Sequence, residues 1–230
     1  MAGAEEWQGV LEAARLSDLA ERMRKYFATV VAAYSFFFYG TAAASYWLAV
    51  VALSLLFETG DDPRFWVSAL LAMIPLLVLA GFSSGAARPK VSPKTWQRKG
   101  RLVSPIFAVI FASAFLVTSA FSPALYSVAW YPALAAALIL IHLFIEREAY
   151  SRGEVAARPF LVSGVSALVT SPLAVYAALR HPGAGWMLAL SLMLATYSVA
   201  AFVALKGAAR ALEAGGERES GEVRGPPEGG

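Results

Sequence analysis

The side chains best suited to chemistry in this sequence are His142, Glu146 and Tyr150, whose spacing stacks them on one face of an α-helix. Glu148, Arg152 and Glu154 lie close by. An imidazole beside a carboxylate can move protons, and at a membrane surface that is the chemistry of a lipid-modifying enzyme. A metal site normally needs three or more ligands, and no second histidine stands four positions away. The competing reading is a His–Glu pair that holds a helix end. No catalytic, metal or cofactor residue is therefore assigned, and no cofactor is expected. His181 precedes Pro182 and reads as a solvated turn residue. Phosphate-binding glycine loops, His-Glu-x-x-His, Cys-x-x-Cys and Gly-x-Ser-x-Gly are all absent.

A second group is basic. Lys90, Lys94, Arg98, Lys99 and Arg101 fall in the segment Ser83–Arg101, which has no acidic residue. It suits contact with a partner or with anionic lipid, and equally serves as a topology anchor. Pro89, Pro93, Gly85 and Gly100 argue against long regular structure there, although Pro93–Lys99 is long enough for one or two helical turns.

These groups must be positioned by a chain of 230 residues that is 58% apolar and only 15% charged. Soluble domains carry about 25% charged residues, so this composition leaves too little polar surface to face water. Mean hydropathy is +0.59. The sequence has no cysteine and no asparagine, which excludes disulfides, thiolate ligands and N-glycans. Few amides and more arginine than lysine are trends of heat-adapted proteins, and a GC-rich genome would produce a similar bias.

Asp, Glu, Lys and Arg are missing from Tyr26–Phe57, Phe65–Ala87, Leu102–Ile145, Pro159–Leu179 and His181–Leu205. About 20 helical residues cross a hydrocarbon core of roughly 30 Å. Leu102–Ile145 is twice too long and must turn back, and Ser122-Pro123 is the natural place. The pattern predicts an all-α protein with six transmembrane helices in three hairpins, near 35–57, 65–83, 102–121, 126–145, 159–179 and 186–205. Residues 1–25 form an N-terminal helical segment, 26–206 the membrane domain, and 207–230 a tail with the composition of disorder at its end. Tyr26–Phe57 reads as an uncleaved first span rather than a leader, since its apolar run continues unbroken.

Placing the N-terminus inside leaves only Arg64 and Arg180 on the outside, with every other basic residue inside. That bias predicts cytoplasmic termini in a cell membrane. It also accounts for the net charge of +3 without nucleic acid. Trp66, Trp130 and Trp186 fall at the outer ends of spans two, four and six, the depth indole prefers.

Within the first 25 residues, Trp7, Val10, Leu11 and Ala14 occupy one helical face, and Leu16, Leu19, Met23 and Phe27 the opposite one. A break near Ser17, with Ser17 as N-cap, would let both sets meet the membrane surface. Gly40-x-x-x-Ala44, Gly81-x-x-x-Gly85 and Pro75 are signals for close helix packing and a kink. Leu116-Val-Thr-Ser119 recurs as Leu168-Val-Thr-Ser171, the trace of a possible repeat of hairpins.

No span carries an acidic or basic residue at its middle, which disfavours ion-coupled transport and excludes a voltage sensor. Three functions fit this pattern. The first is a permease-like transport subunit of a larger complex, energised by a cytoplasmic ATPase or joined to other membrane subunits. The second is a structural or assembly protein. The third is an inner-interface lipid enzyme using His142 and Glu146.

Overall fold

The computed structural model describes residues 2–56, 63–64, 66–71, 73–74 and 93–222. Among them every regular element is helical and there is no strand. The helices are α1 (Ala2–Leu56), α2 (Lys94–Lys99), α3 (Val103–Ser119), α4 (Pro123–Val128), α5 (Trp130–Ile141), α6 (Arg147–Ser151), α7 (Pro159–Arg180) and α8 (Pro182–Glu222). A 3₁₀ turn, Gly100–Leu102, joins α2 to α3, and a π turn, His142–Glu146, joins α5 to α6.

Four helical stretches are long and apolar enough to cross a membrane: Trp7–Leu53, Lys94–Ser119, Pro159–Arg180 and Pro182–Glu213. Most of the expected second span, with Pro75, Gly81, Gly85 and Lys90, lies outside the described residues. The segment expected as the fourth span is helical but in pieces, and it is not among the four stretches long enough to cross. Pro132 has no N–H to give the Val128 carbonyl, and its ring crowds that carbonyl, so the helix breaks at Ala129. The π turn divides it again near the other end. Ser122 ends the preceding turn as expected, its Oγ accepting the Ala124 N–H at 3.2 Å with Pro123 at the first helical position.

One expectation is corrected. There is no break near Ser17: α1 is one helix of 55 residues, because Asp18 pairs with Arg22 one turn later and no Gly or Pro stands between Val10 and Tyr39. The start of the tail is helical rather than loose, since α8 runs for 41 residues to Glu222, and the end expected to be disordered lies outside the described residues. Helix formers at Ala208–Ala214 extend a helix already nucleated in the bundle, which is far easier than starting one.

α1 packs along α8, α8 on α7, α7 on α5, and α5 on α3. The contacts are close because small residues line them. A Cβ at Gly40 would stand 2.6 Å from the Tyr197 ring, one at Gly164 3.0 Å from the Ile139 backbone nitrogen, and one at Gly185 2.4 Å from Ala178 Cα. Ala44, one turn from Gly40, is buried as the Gly-x-x-x-Ala spacing predicts. The Tyr131 hydroxyl meets Thr170 Oγ1 at 2.7 Å, satisfying both inside the bundle. At the end where α7 meets α8, Trp47 and Trp186 stack edge to face at 5.4 Å. The two Leu-Val-Thr-Ser copies sit differently. The first ends α3, whereas the second lies inside α7, which continues through Pro172.

Candidate functional site

α5 delivers His142 and Glu146 to the opposite end of the bundle, and the π turn buries both. A π turn holds an extra residue, so Tyr150 leaves the face it would share with them in a regular helix. Its ring instead packs under the Arg158 guanidinium, 3.8 Å away.

What holds Glu146 is the start of α7. That helix begins Arg158-Pro159, and Arg158 has no side chain able to accept its first N–H groups. Glu146 supplies the cap from elsewhere. Its Oε1 accepts the Phe160 N–H at 2.9 Å, and its Oε2 accepts the Leu161 N–H at 3.0 Å. His142 Nδ1 lies 2.7 Å from the same Oε2. Since both oxygens already accept, the hydrogen-bond network assigns the proton to Nδ1, which donates.

The same device recurs for α2. Its N-cap, Pro93, also has no capping side chain, and Glu154 takes over: Oε2 accepts the Thr95 N–H at 2.9 Å and Oε1 accepts the Thr95 hydroxyl at 3.1 Å. Glu154 is aimed by the close of α6, where Gly153 adopts a φ of +69° that disfavours any side chain. Thr29 of α1 completes the clasp, its Oγ1 donating to the Lys25 carbonyl and accepting the Ala156 N–H at 3.0 Å.

Between the two caps Glu148 gathers cations. It pairs with Arg98 at 2.7 Å, with Arg152 at 2.6 Å, and with Lys99, which also donates to the Phe144 carbonyl at 3.2 Å. The Lys99 hydrogen bond, helped by the charges of Arg152 and Arg98, outweighs partial burial and holds the Glu148 carboxyl below its ordinary range. Two of the five basic residues singled out from sequence are thus bound within the chain. Lys94 and Arg101 are exposed and have no acidic partner among the described residues, and Lys90 lies outside them. Among the described residues no three His, Asp or Glu side chains gather as a metal would require.

Sequence reasoning named Glu154 only as a neighbour of His142 and Glu146, and it missed that residue's capping role, Thr29 and a cleft beside the clasp. Thr95 and Glu154 are 59 positions apart and Thr29 and Ala156 are 127 apart, so no local pattern marks either pair. The cleft is half-open, has a volume of about 520 Å³, and is walled by α1, α2, α3, α5, α7 and α8. Trp96, Phe160, Phe36 and Tyr197 form one wall as a chain of touching rings, 5.1, 4.7 and 5.4 Å apart in turn. Glu146 and Thr29 stand at its polar end.

The fold and the clasp define a class: an all-helical bundle with several helices fit to cross a membrane. Compared with known proteins, the chain matches no family description, no curated protein and no solved structure.

Proposed function

We propose that this chain is a multi-pass protein of the cell membrane, with six spans in three hairpins and both termini cytoplasmic, serving as a permease-like transport subunit of a larger complex. The observation that carries the subunit reading is the shape of α1. Its 55 residues extend about 80 Å, far more than a hydrocarbon core of about 30 Å. The excess continues the span without a break in the helix, so on this reading the N-terminal segment projects from the membrane. It presents Trp7, Val10, Leu11, Leu16 and Leu19 exposed by more than half. Exposed apolar residues in such number mark an interaction surface.

A transport role fits the charges. No acidic or basic residue stands at mid-depth in a span, so coupling energy would come from a partner such as a cytoplasmic ATPase. The capping role of both Glu146 oxygens favours the transport reading over a lipid enzyme using His142 and Glu146. An assembly protein would use the same α1 surface without a nucleotide-hydrolysing partner.

The test is purification from the native membrane in mild detergent, with mass spectrometry of stoichiometric companions. A bound ATPase, lost in the Trp7→Ser, Leu11→Ser double variant while the chain still inserts, is the expected result. A stoichiometric companion without ATPase activity would favour the assembly reading. Recovery of the chain alone would overturn the subunit reading.

A further inference from the structure

The cleft has a direction. Its α1 wall is a single stripe, Ala28, Val31, Ala32, Ser35, Phe36 and Tyr39, which at 1.5 Å per residue extends about 16 Å along the helix. Trp47 stacks on Trp186 at the far end of the bundle, which shifts the α1 crossing toward 28–47 from the expected 35–57, and the stripe is then half of a hydrocarbon core of about 30 Å, the depth of one leaflet. Thr29 and Glu146 mark a polar end, and the rest is aliphatic or aromatic apart from Ser35, whose hydroxyl donates to the Val31 carbonyl at 2.8 Å. Its volume of about 520 Å³ lies within the range of sites for single small ligands.

The polar end is bordered by cations. Lys25 lies one turn before Ala28, Lys94 follows the lining residue Pro93, and Arg101 precedes the lining residue Val103 by two positions. A Cβ built at Gly153 would stand 3.7 Å from Lys25 Nζ, which places that ammonium at the clasp. None of the three pairs with an acidic group among the described residues, whereas Arg98, Lys99 and Arg152 are taken by Glu148. Glu146 is turned to two backbone N–H groups and His142 and pairs with none of these three cations, so it leaves them uncommitted.

We propose that the cleft seats one acyl chain of an anionic phospholipid from the cytoplasmic leaflet, with the phosphate held at the rim by Lys25, Lys94 and Arg101. The membrane supplies the chain, the one-leaflet length fits it, and the uncommitted cations select the headgroup. The choice of leaflet rests on the orientation given under the proposed function; the seating of a chain does not.

The test uses the full chain in nanodiscs of dioleoyl phosphatidylglycerol mixed equally with phosphatidylcholine, released into the gas phase for native mass spectrometry. One retained phosphatidylglycerol is expected. Ala32→Trp, which fills the cleft, should lose it. Lys94→Gln and Arg101→Gln should each lower the preference for phosphatidylglycerol about fivefold, the usual effect of one basic residue beside an anionic leaflet. A broad, unsaturable lipid distribution unchanged by Ala32→Trp would overturn the proposal, as would equal retention of phosphatidylcholine. So would displacement of the lipid by inorganic phosphate, which would make the rim a site for free phosphate. Should Ala32→Trp fail to fold, phosphatidylglycerol brominated on its chains provides a second reading with the native residue at position 32. It should quench Trp96, identified by comparison with Trp96→Phe, and saturate at one lipid; no quenching would overturn the proposal. Cysteine labelling that reversed the orientation would overturn the leaflet alone, since lipid retention is read without it.

Discussion

Replacing Glu146 by alanine removes the cap of α7 and separates a structural carboxylate from a chemical one. The substitution leaves the Phe160 and Leu161 N–H groups without acceptors in a part-buried setting and strips His142 of its partner. An orphaned buried donor costs about 1–3 kcal/mol, and a lost N-cap typically about 1 kcal/mol. With the sites only part-buried, the lower half of that range applies to each N–H, and Glu146→Ala should destabilise the start of α7 by about 2–4 kcal/mol. Since 1.4 kcal/mol is a factor of ten, amide exchange at Phe160 and Leu161 should speed up at least tenfold in detergent. Exchange at the middle of α7 should change less. Glu146→Gln keeps one acceptor but turns an NH₂ toward donors, so its effect should fall between alanine and wild type. His142→Ala, which removes a single partner, should cost about 1 kcal/mol. Exchange at Phe160 and Leu161 unchanged in Glu146→Ala would refute the capping argument and return the pair to consideration as a site of proton chemistry.

Three further outcomes follow from other parts of the bundle. Gly185→Ala and Gly164→Ala should each lower the melting temperature measurably, at about 1–3 kcal/mol, because the new methyl meets backbone rather than a movable side-chain tip; unchanged melting would contradict the α7–α8 and α5–α7 contacts. Glu148 has a lowered carboxyl pKa, so its stabilisation of the Arg98–Lys99 turn is fully present above the ordinary value of 4.5 and is lost as pH falls through the lower folded value. Proteolysis after Arg98 should therefore be independent of pH above 4.5 and increase below it, and Glu148→Gln should show the faster cleavage throughout. Trp130 Nε1 is buried without a hydrogen-bond partner. Trp130→Phe should then cost less than the about 3 kcal/mol expected for removing a large core aromatic, because an unsatisfied donor goes with it; a loss above that figure in thermal melts would show that the indole N–H is satisfied.

The membrane-fit helices were legible because apolar runs and missing charges are local properties. The turn at Ser122-Pro123 and the close packing at Gly40 and Ala44 were legible for the same reason: a proline or a small residue acts where it stands. What misled was also local. Opposed apolar faces suggested a break near Ser17, yet no residue there stops a helix, and exposed apolar side chains can await a partner. Gly215 and Gly216 did not mark the end of the helix, because a long helix already formed can run through them. The His142–Glu146 pair was found from its spacing, while its role was not. That role is set by Arg158-Pro159 lacking a cap of its own, and the same absence at Pro93 recruits Glu154. A helix start with no capping residue is a sequence signal, but it does not name the distant carboxylate that answers it. Likewise, the sorting of cations into those bound by Glu148 and those left for the rim depends on three-dimensional proximity alone.

The central claim is that the clasp end of a six-span bundle faces the cytoplasm. A chain without cysteine lets single cysteines report sidedness directly. Membrane-impermeant maleimide applied to intact cells should label Ser122→Cys and Gly183→Cys, together with Thr59→Cys, which lies outside the described residues. Ser151→Cys, and Ser92→Cys beyond the described residues, should label only after permeabilisation. Labelling of Ser151→Cys in intact cells, or protection of Ser122→Cys and Gly183→Cys, would contradict the account.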